Sequence, residues 1–259
     1  MIVKYGLLGH PLGHSFSKKF HNERFQRLEI DATYENYDLV DVEDLLPILV
    51  TNSDLQGLNV TIPYKQAIIP FLDDVDPLAK RIGAVNVVKI KHLKEDDPLY
   101  EITKVKGLFL KGFNSDFIGF TNSIKPMLSS ENKKALILGT GGASKAIFVA
   151  LQELGIESVF VSRTKKVDCL TYEELTKEIL EEYTVIVNCS PVGMFPHVDE
   201  CPAIPYEYIT DKHVCFDAVY NPDVTMFMRK AQEHGAKVKC GYEMLVGQAI
   251  ASYDIWTKE

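Results

Sequence analysis

The sequence contains no CxxC pair, no long apolar run and no excess of basic residues. Its five cysteines, at 169, 189, 201, 215 and 240, form no paired motif, so neither a disulfide framework nor a zinc site is indicated. No stretch approaches the roughly 18 apolar residues of a membrane span, and His, Pro and Gly interrupt the N-terminal segment before it reaches signal-peptide length. These absences predict a soluble, cytoplasmic protein with no membrane partner.

Acidic residues outnumber basic ones, 36 against 28, which gives a formal net charge of -8. Binding to a phosphate backbone normally requires a basic surface, so nucleic acid is not expected as a partner. The 259 residues are 46% hydrophobic and 25% charged, which is a globular composition. At roughly 150 residues per domain, the length fits two modest domains or one large one.

Short apolar segments rich in β-branched residues alternate with helical patterns along the chain. Residues 2–8 predict a buried strand, and the spacing over 17–28 predicts the helix after it. In the second half, 135–138, 158–161 and 214–217 predict further strands separated by helices. This βαβ alternation is typical of the α/β class. We expect two domains, a mostly parallel α/β substrate-binding domain and a Rossmann-like cofactor domain.

The strongest local signal is the turn GTGGASKA at 139–146, between a predicted strand and a predicted helix. A dinucleotide pyrophosphate needs closely approachable backbone N–H groups at a helix N-terminus. The cofactor-binding residues expected here are Gly139, Gly141, Gly142 and Ala143. Ser144 occupies the third glycine position of G-x-G-x-x-G, so the motif alone is weak. A glycine-rich turn without ligand is the alternative, but the order of strand, turn, helix and strand favours a cofactor.

The residues that follow the second strand of this unit indicate which dinucleotide is bound. An enzyme that uses NAD places an acidic side chain there, about 20 residues after the glycine turn, on the ribose 2'-hydroxyl. Here the segment is Ser162, Arg163, Thr164, Lys165 and Lys166, with no carboxylate. A guanidinium, hydroxyls and ammonium groups suit a 2'-phosphate. The segment therefore favours NADP, although a solvated basic turn has the same composition.

The first half offers polar side chains in tight loops that suit a small substrate. Ser15 and Ser17 stand at a helix start, where hydroxyls and the helix dipole favour a carboxylate, although one serine is equally expected as a simple N-cap. Asn59, Thr61 and Lys65 follow a predicted strand. Lys65 is a candidate proton donor or acceptor for a carbonyl that takes a hydride. Taken alone, it would be interpreted as a surface lysine.

Over nearly its whole length the chain resembles the shikimate dehydrogenase family. The matching segments are GHPLGHSFS at 9–17, GLNVTIPYK at 57–65, IGAVNVV at 82–88, GFNSDFIGF at 112–120, LGTGGASKA at 138–146, SRT at 162–164, NCSPVGM at 188–194, DAVYNP at 217–222 and GYEMLVGQA at 241–249. Lys18, where the family usually has proline, and Ser162, where it usually has asparagine, depart from the pattern.

The resemblance implies an NADP-dependent enzyme that reversibly reduces 3-dehydroshikimate to shikimate in chorismate and aromatic amino-acid biosynthesis. It implies Lys65 and Asp116 as the catalytic pair. The substrate residues that it implies are Ser15 and Ser17 at the carboxylate, Tyr220 near it, and Asn59, Thr61, Asn86, Asp116 and Gln248 at the ring hydroxyls. Beside the nicotinamide it implies Gly241 and Met244.

Together these expectations divide the chain. Residues 1–116 and 242–259 are expected to form the substrate-binding domain, because Gln248 belongs to the substrate site, and residues 117–241 the NADP-binding Rossmann domain. A monomer or a homodimer is expected.

We expect Lys65 to transfer the proton, and Asp116 to fix the substrate's 4-hydroxyl and the lysine head. No metal is expected, because a proton-transfer group replaces a Lewis acid in this chemistry. His10, His14 and His21 lack metal-binding spacing and are interpreted as loop and helix-surface residues.

Three alternatives stay open. The first is a quinate/shikimate dehydrogenase with a broader substrate range, for which NAD is an alternative cofactor; Ser17 in place of a bulkier threonine and the missing acid near Arg163 favour the narrower NADP enzyme. The second is a sensor that has kept the scaffold and lost turnover, but such a protein should have lost Lys65 or Asp116. The third is a tetrahydrofolate dehydrogenase, for which no pterin-binding motif is present.

Overall fold

The protein is described by a computed structural model over residues 2–13 and 15–258. Its residues form two compact units, which we call unit 1, up to Ser115 together with the segment from Ala249, and unit 2, Asp116–Gln248. The α/β class expected from the sequence is confirmed. The units divide inside the last helix, whereas the sequence led us to expect a boundary at its start, near 242. The assignment of substrate and cofactor to the units stays a prediction.

Unit 1 contains a six-stranded sheet. Its strands are β1 (Val3–Gly9), β2 (Ala32–Asp38), β3 (Leu55–Val60), β4 (Asp74–Val75), β5 (Val87–His92) and β6 (Leu108–Phe113). Its helices are α1 (Phe16–Arg27), α2 (Leu45–Thr51), α3 (Tyr64–Ala67) and α4 (Pro77–Ile82). Single 3-10 turns occupy 42–44 and 69–71.

The strand order of this sheet is β2-β1-β3-β5-β6-β4. β1 pairs in parallel with β2 and β3, and β4 pairs in parallel with β6, but β5 runs antiparallel to both β3 and β6. The reversed strand β5 therefore begins where β1, β3 and β6 end. The end of β3, which carries Asn59, and the segments that contain Thr61 and Asn86 therefore lie at one edge of the sheet.

Unit 2 contains a second six-stranded sheet, in which every observed pairing is parallel. Its strands are β7 (Lys134–Leu138), β8 (Glu157–Ser162), β9 (Cys169–Thr171), β10 (Val185–Asn188), β11 (Val214–Asp217) and β12 (Lys237–Cys240). Its helices are α5 (Asp116–Ile124), α6 (Gly142–Glu153), α7 (Lys177–Glu182) and α8 (Met226–Glu233), and the last helix, α9 (Tyr242–Thr257), continues into unit 1. The order β12-β11-β10-β7-β8-β9 is that of a Rossmann fold, with its switch point between β7 and β10.

The C-terminal part of α9 is anchored in unit 1 by Trp256. Its indole nitrogen donates to the carbonyl oxygen of Val88 at 3.1 Å. Its ring packs so closely on Gly57 that a Cβ there would lie 2.3 Å from an indole carbon. Glycine is therefore required on β3 at this point, because any side chain would displace the tryptophan.

Among the described residues, no helix is both long and apolar enough to cross a membrane.

His21 lies in an aromatic cluster of unit 1, and the interpretation of it as a helix-surface residue is wrong. Its side chain is fully buried. The ring stacks on Tyr34, with centroids 4.6 Å apart and planes 10° apart, and also contacts Phe25. Neither ring nitrogen has a hydrogen-bond partner among the described residues. Burial, with a smaller effect of Arg24, therefore lowers the pKa of His21 to about 3.

This lowered pKa makes unit 1 sensitive to acid. Below about pH 6.5 the unfolded chain binds a proton at His21 and the folded chain does not. The free energy of unfolding is therefore unaffected by the protonation of His21 above pH 6.5 and falls as the pH decreases from 6.5 toward 3. Between pH 8 and pH 5 we expect the free energy of unfolding to fall by about 2 kcal/mol more in wild type than in His21→Phe, which keeps every other titrating group. Urea unfolding at both pH values measures it. His234→Phe, at an exposed histidine, is the control and should keep the wild-type pH dependence.

Candidate active site

The glycine turn of unit 2 lies where the sequence predicts it, between the end of β7 and the start of α6. Gly139 has a φ of 107°, which glycine adopts without strain, and a Cβ there would lie 3.3 Å from the Ser190 nitrogen. Gly141 is the N-cap of α6, and a Cβ built on it would meet nothing within 4 Å. Gly142 and Ala143 form the first turn of the helix. The helix N-terminus thus faces open space that a phosphate can approach.

Ser144 shows how the turn accommodates a residue other than glycine at the third position of the motif. Its side chain is fully buried, and its hydroxyl donates to the Gly141 carbonyl at 2.6 Å. The small side chain fits beneath the turn and also ties it together. The departure from the glycine pattern is therefore compatible with the geometry of the turn.

A cavity of about 600 Å³ opens in front of this turn. Its lining consists of Gly139, Thr140, Gly141, Val161, Ser162, Arg163, Thr164, Lys166, Tyr172, Cys189, Ser190, Pro191 and Val192. No carboxylate lines it. Lys166 donates to the Thr140 hydroxyl at 3.1 Å, whereas Lys165 is ion-paired with Glu174 at 2.7 Å and does not line the cavity.

These features fit NADP. The open side of Gly141 at the N-terminus of α6 suits a pyrophosphate, and the exposed cations at the end of β8 suit a 2'-phosphate. Ser162 also lines the cavity, although it is mostly buried, and its hydroxyl accepts from the Thr164 backbone at 3.4 Å. Its contact with the cofactor stays a prediction.

A buried carboxylate supports the opposite wall of this cavity. Asp217 accepts hydrogen bonds from Asn188 at 2.9 Å, from the Val219 nitrogen at 3.0 Å and from the Thr225 hydroxyl at 2.6 Å. Asn188 in turn accepts from the hydroxyl of Ser190, which lines the cavity, at 2.7 Å. Burial raises the pKa of Asp217 to about 6, and the three hydrogen bonds oppose that rise.

In unit 1, both predicted serines lie at the start of α1. Ser15 is its N-cap and accepts from the Lys18 nitrogen at 3.2 Å, so the capping interpretation of this serine holds in the structure. Ser17 lies in the first turn and is half-buried, beside the fully buried Tyr34. Lys18, at the position where the family pattern has proline, donates to Glu35 at 2.6 Å and leaves both serine hydroxyls in place.

The residues that follow β3 are tied to the start of β5. Thr61 continues from β3, and its nitrogen donates to the Leu8 carbonyl at 2.9 Å. Lys65 lies on α3, is half-buried, and accepts through its carbonyl from the Val85 nitrogen at 2.7 Å. These backbone bonds hold the segments that carry Thr61, Lys65 and Asn86 together at one edge of the sheet.

The amides of Asn59 and Asn86 meet at this edge. Asn59 donates to the Asn86 carbonyl at 3.3 Å. The Asn86 side chain accepts from the Ser115 nitrogen at 2.7 Å and donates to its hydroxyl at 3.1 Å. Ser115 ends unit 1, and Asp116, its neighbour in sequence, begins unit 2 and is buried. Unit 1 therefore contains one polar cluster that joins several predicted substrate residues.

The other predicted residues belong to unit 2. Tyr220 follows β11 and is 38% exposed. Gly241 packs on the Ala218 backbone, where a Cβ would lie 2.4 Å from the carbonyl oxygen. Met244 and Gln248 lie on α9 and are buried, and Gln248 donates to the Leu245 carbonyl at 3.0 Å. Neither Gly241 nor Met244 lines the cavity in front of the glycine turn.

Three residues of the polar cluster were missed by the sequence reasoning: Tyr34, Ser252 and Ser115, the last in the segment 112–120 next to Asp116. The Tyr34 hydroxyl donates to Asn59 at 2.8 Å, and the Ser252 hydroxyl accepts from Asn59 at 2.7 Å. Tyr34 and Ser252 stand in no motif, and Ser252 lies 193 residues from Asn59. No local pattern points to either of them.

Within the described ranges, no three His, Cys, Asp or Glu side chains converge as metal ligands, and His14 lies outside those ranges.

Comparison with known proteins shows that this chain is similar to shikimate dehydrogenases. A family model described as the shikimate dehydrogenase substrate binding domain matches residues 7–88. The shikimate dehydrogenase (NADP(+)) of Methanosphaera stadtmanae is 33% identical over 272 residues, which cover 97% of this chain and 90% of the relative.

Solved structures are similar over the same extent. The shikimate 5-dehydrogenase of Thermus thermophilus, solved in complex with NADP(H) and shikimate, is 32% identical with a TM-score of 0.81, covering 98% of this chain and 93% of that one. The Listeria monocytogenes enzyme, solved in complex with shikimate and NAD, is 26% identical with a TM-score of 0.81, covering 99% and 92%.

The hydrogen bonds that Asp217 accepts provide a test of how the cavity wall is stabilised. Thr225→Val removes one hydrogen bond to the buried carboxylate and the N-cap bond to the Met228 nitrogen. Loss of the cap lowers stability equally at every pH, whereas loss of the carboxylate's partner matters only when Asp217 is ionised, above its pKa of about 6. We expect the destabilisation to be larger at pH 8 than at pH 5 by about 1 kcal/mol.

Urea unfolding of Thr225→Val and wild type at the two pH values measures this difference. Thr257→Val, at an exposed threonine in the last turn of α9, is the control and should show no pH-dependent effect. Equal destabilisation by Thr225→Val at both pH values would mean that its hydroxyl does not stabilise the ionised carboxylate.

Proposed function

The chain belongs to the shikimate dehydrogenase family, and from that premise we propose how it carries out the NADP-dependent, reversible reduction of 3-dehydroshikimate to shikimate. The observation that carries the proposal is the polar cluster at one edge of the unit 1 sheet. There Tyr34, Asn59 and Asn86 are joined through buried hydrogen bonds. A small polyhydroxylated acid needs such a set of fixed, uncharged donors and acceptors.

We assign the substrate carboxylate to the start of α1. The hydroxyls of Ser15 and Ser17 lie there at the N-terminus of a 12-residue helix, whose dipole favours negative charge. Tyr220 is proposed to approach the same carboxylate. The ring hydroxyls are assigned to Asn59, Thr61, Asn86, Asp116 and Gln248.

Lys65 is proposed as the proton-transfer residue. When the carbonyl of the substrate is reduced, negative charge develops on its oxygen, and an ammonium group aimed there neutralises it. In the reverse direction the same amine takes the hydroxyl proton. Asp116 is proposed to fix the 4-hydroxyl and the lysine head, since a carboxylate attracts both. The dinucleotide supplies or accepts the hydride.

The cofactor is proposed to lie along the cavity of unit 2. The N-terminus of α6 receives the pyrophosphate, and Arg163, Thr164 and Lys166 receive the 2'-phosphate. Lys165 is not assigned to it, because Glu174 already pairs with it. The absence of a carboxylate from the cavity lining supports NADP over NAD. Gly241 and Met244 are kept as proposed neighbours of the nicotinamide.

We further propose that the enzyme works in the cytoplasm. Its five cysteines are all unpaired, as expected in a reducing compartment. A monomer or a homodimer remains our expectation. Light scattering distinguishes one copy of the 29.2 kDa chain from two.

Replacing the proposed proton donor tests the mechanism. Lys65→Ala should lower kcat for the oxidation of shikimate by NADP roughly 100-fold or more, because the proton then lacks a positioned acceptor. KM for shikimate should change far less. Initial rates of NADPH formation, followed spectrophotometrically, measure both constants. Lys80→Ala, at an exposed lysine of unit 1, is the control, and a fall in kcat within about threefold for Lys65→Ala would show that another group moves the proton.

The assignment of the 2'-phosphate is tested by Arg163→Ala. Loss of a hydrogen bond to a charged group weakens binding by about 1.5–3 kcal/mol, so KM for NADP should rise roughly 10-fold to 100-fold. KM for NAD should stay near the wild-type value, because NAD lacks the phosphate. Lys177→Ala, an exposed lysine paired with Glu181, is the control. An equal rise in KM for both cofactors would place Arg163 elsewhere on the dinucleotide.

A further inference from the structure

The side chain of Asn59 is held on both of its polar atoms by residues from distant segments. Its exposed fraction is 5%. The oxygen accepts from the Tyr34 hydroxyl at 2.8 Å, and the nitrogen donates to the Ser252 hydroxyl at 2.7 Å and to the Asn86 carbonyl at 3.3 Å. Tyr34 comes from β2 and Ser252 from α9, so the amide is fixed by tertiary structure.

The orientation of this amide follows from the polarity of one partner. A backbone carbonyl only accepts, so the group of Asn59 that faces the Asn86 carbonyl must be the NH2. The oxygen of Asn59 therefore faces Tyr34, which must donate. Both amide hydrogens are then used inside the protein, while the oxygen keeps one of its two acceptor positions. Toward a ligand, Asn59 is an acceptor.

Asn86 has the opposite polarity by the same reasoning. The Ser115 backbone nitrogen only donates, so the group of Asn86 that faces it at 2.7 Å must be the oxygen. The NH2 group uses one hydrogen on the Ser115 hydroxyl at 3.1 Å and keeps the other. A ligand at this edge of the sheet thus meets an acceptor at Asn59 and a donor at Asn86. A hydroxyl suits Asn59, whereas a carbonyl oxygen would face another acceptor.

We propose that Tyr34 and Ser252 are positioning residues of the substrate site, which hold the Asn59 amide in the orientation that the Asn86 carbonyl defines, without touching the substrate. Tyr34 is fully buried, so water cannot replace its hydroxyl. Its single proton is donated to Asn59, so toward any other group the Tyr34 oxygen can only accept. Ser252 also contacts the Ser115 hydroxyl at 3.0 Å and so links the two asparagines.

The inference rests on the proposed function, because it concerns the ligand of that same site. Removal of either hydroxyl takes one hydrogen-bond partner from the buried Asn59 amide, which the Asn86 carbonyl alone then holds less firmly. A substrate hydroxyl held equally in the ground state and in the transition state affects KM and leaves kcat unchanged. The effect of each hydroxyl should therefore appear in KM for shikimate.

The experiment measures Ser252→Ala and Tyr34→Phe with shikimate and NADP. Each should raise KM for shikimate about 10-fold, the equivalent of one hydrogen bond, with kcat and KM for NADP near the wild-type values. Tyr34→Phe keeps the ring that stacks on His21, so the two variants change the packing at different places. Folding is verified by circular dichroism and by KM for NADP.

A double-mutant comparison with Asn59→Ala distinguishes a positioning role of Ser252 from a general effect on the structure. In an Asn59→Ala background, Ser252→Ala should raise KM for shikimate by clearly less than in wild type, because its bond to Asn59 is already absent and its contact with Ser115 remains. An additional rise of the same size as in wild type would show that Ser252 acts independently of Asn59 and would overturn the proposal.

Two matched controls remove the same chemical groups from unit 1 without touching Asn59. Tyr5→Phe deletes a hydroxyl from a buried tyrosine that stacks on Trp256, and Thr257→Ala deletes a hydroxyl from the same helix as Ser252. Both should leave KM for shikimate unchanged. If wild type oxidises shikimate and both Ser252→Ala and Tyr34→Phe keep its KM, only the positioning role falls. If wild type shows no turnover of shikimate with NADP, the proposed function itself falls, and this inference with it.

Discussion

The buried amide of Asn59 must find partners for both of its hydrogens, and this requirement ties together parts of unit 1 that are far apart in sequence. An unpaired buried amide group costs about 1–3 kcal/mol, so each partner has to be held in place. Tyr34 is supplied by β2, the Asn86 carbonyl by the segment before β5, and Ser252 by the end of the chain. The return of α9 to unit 1 therefore completes the polar cluster.

Unit 2 meets a different requirement, also with a buried polar group. Its parallel sheet leaves the carboxyl ends of β7 and β10 side by side at the switch point, where the glycine turn needs open space on one side and a firm wall on the other. Gly141 gives the open space. The wall is stabilised by Asp217, whose buried carboxylate gathers Asn188 and Thr225. A buried charge is tolerated there because every oxygen accepts a hydrogen bond.

Local patterns in the sequence were sufficient to predict the α/β class, the glycine turn and the basic segment after β8, because each depends on neighbours within one βαβ unit. They were insufficient for β6, whose short segment containing Lys111 and Gly112 becomes a strand only through pairing with β5. They also failed for His21, since a polar residue on a helix is expected at the surface and only the tertiary fold buries it. Tyr34 and Ser252 carry no local signal, because their partner is reached through β2 and α9.

The position of His21 explains how Tyr34 can serve the site. A tyrosine hydroxyl fixes an asparagine only if its ring cannot move and no stronger partner competes for its proton. The neutral imidazole of His21 stacks flat on the Tyr34 ring and so restricts it without a hydrogen bond to the hydroxyl. An aliphatic residue would give less contact with the ring face, and a protonated histidine would not be tolerated in this buried cluster. The aromatic cluster therefore holds the Tyr34 ring in place, while the Asn86 carbonyl, acting through Asn59, determines that the Tyr34 hydroxyl donates.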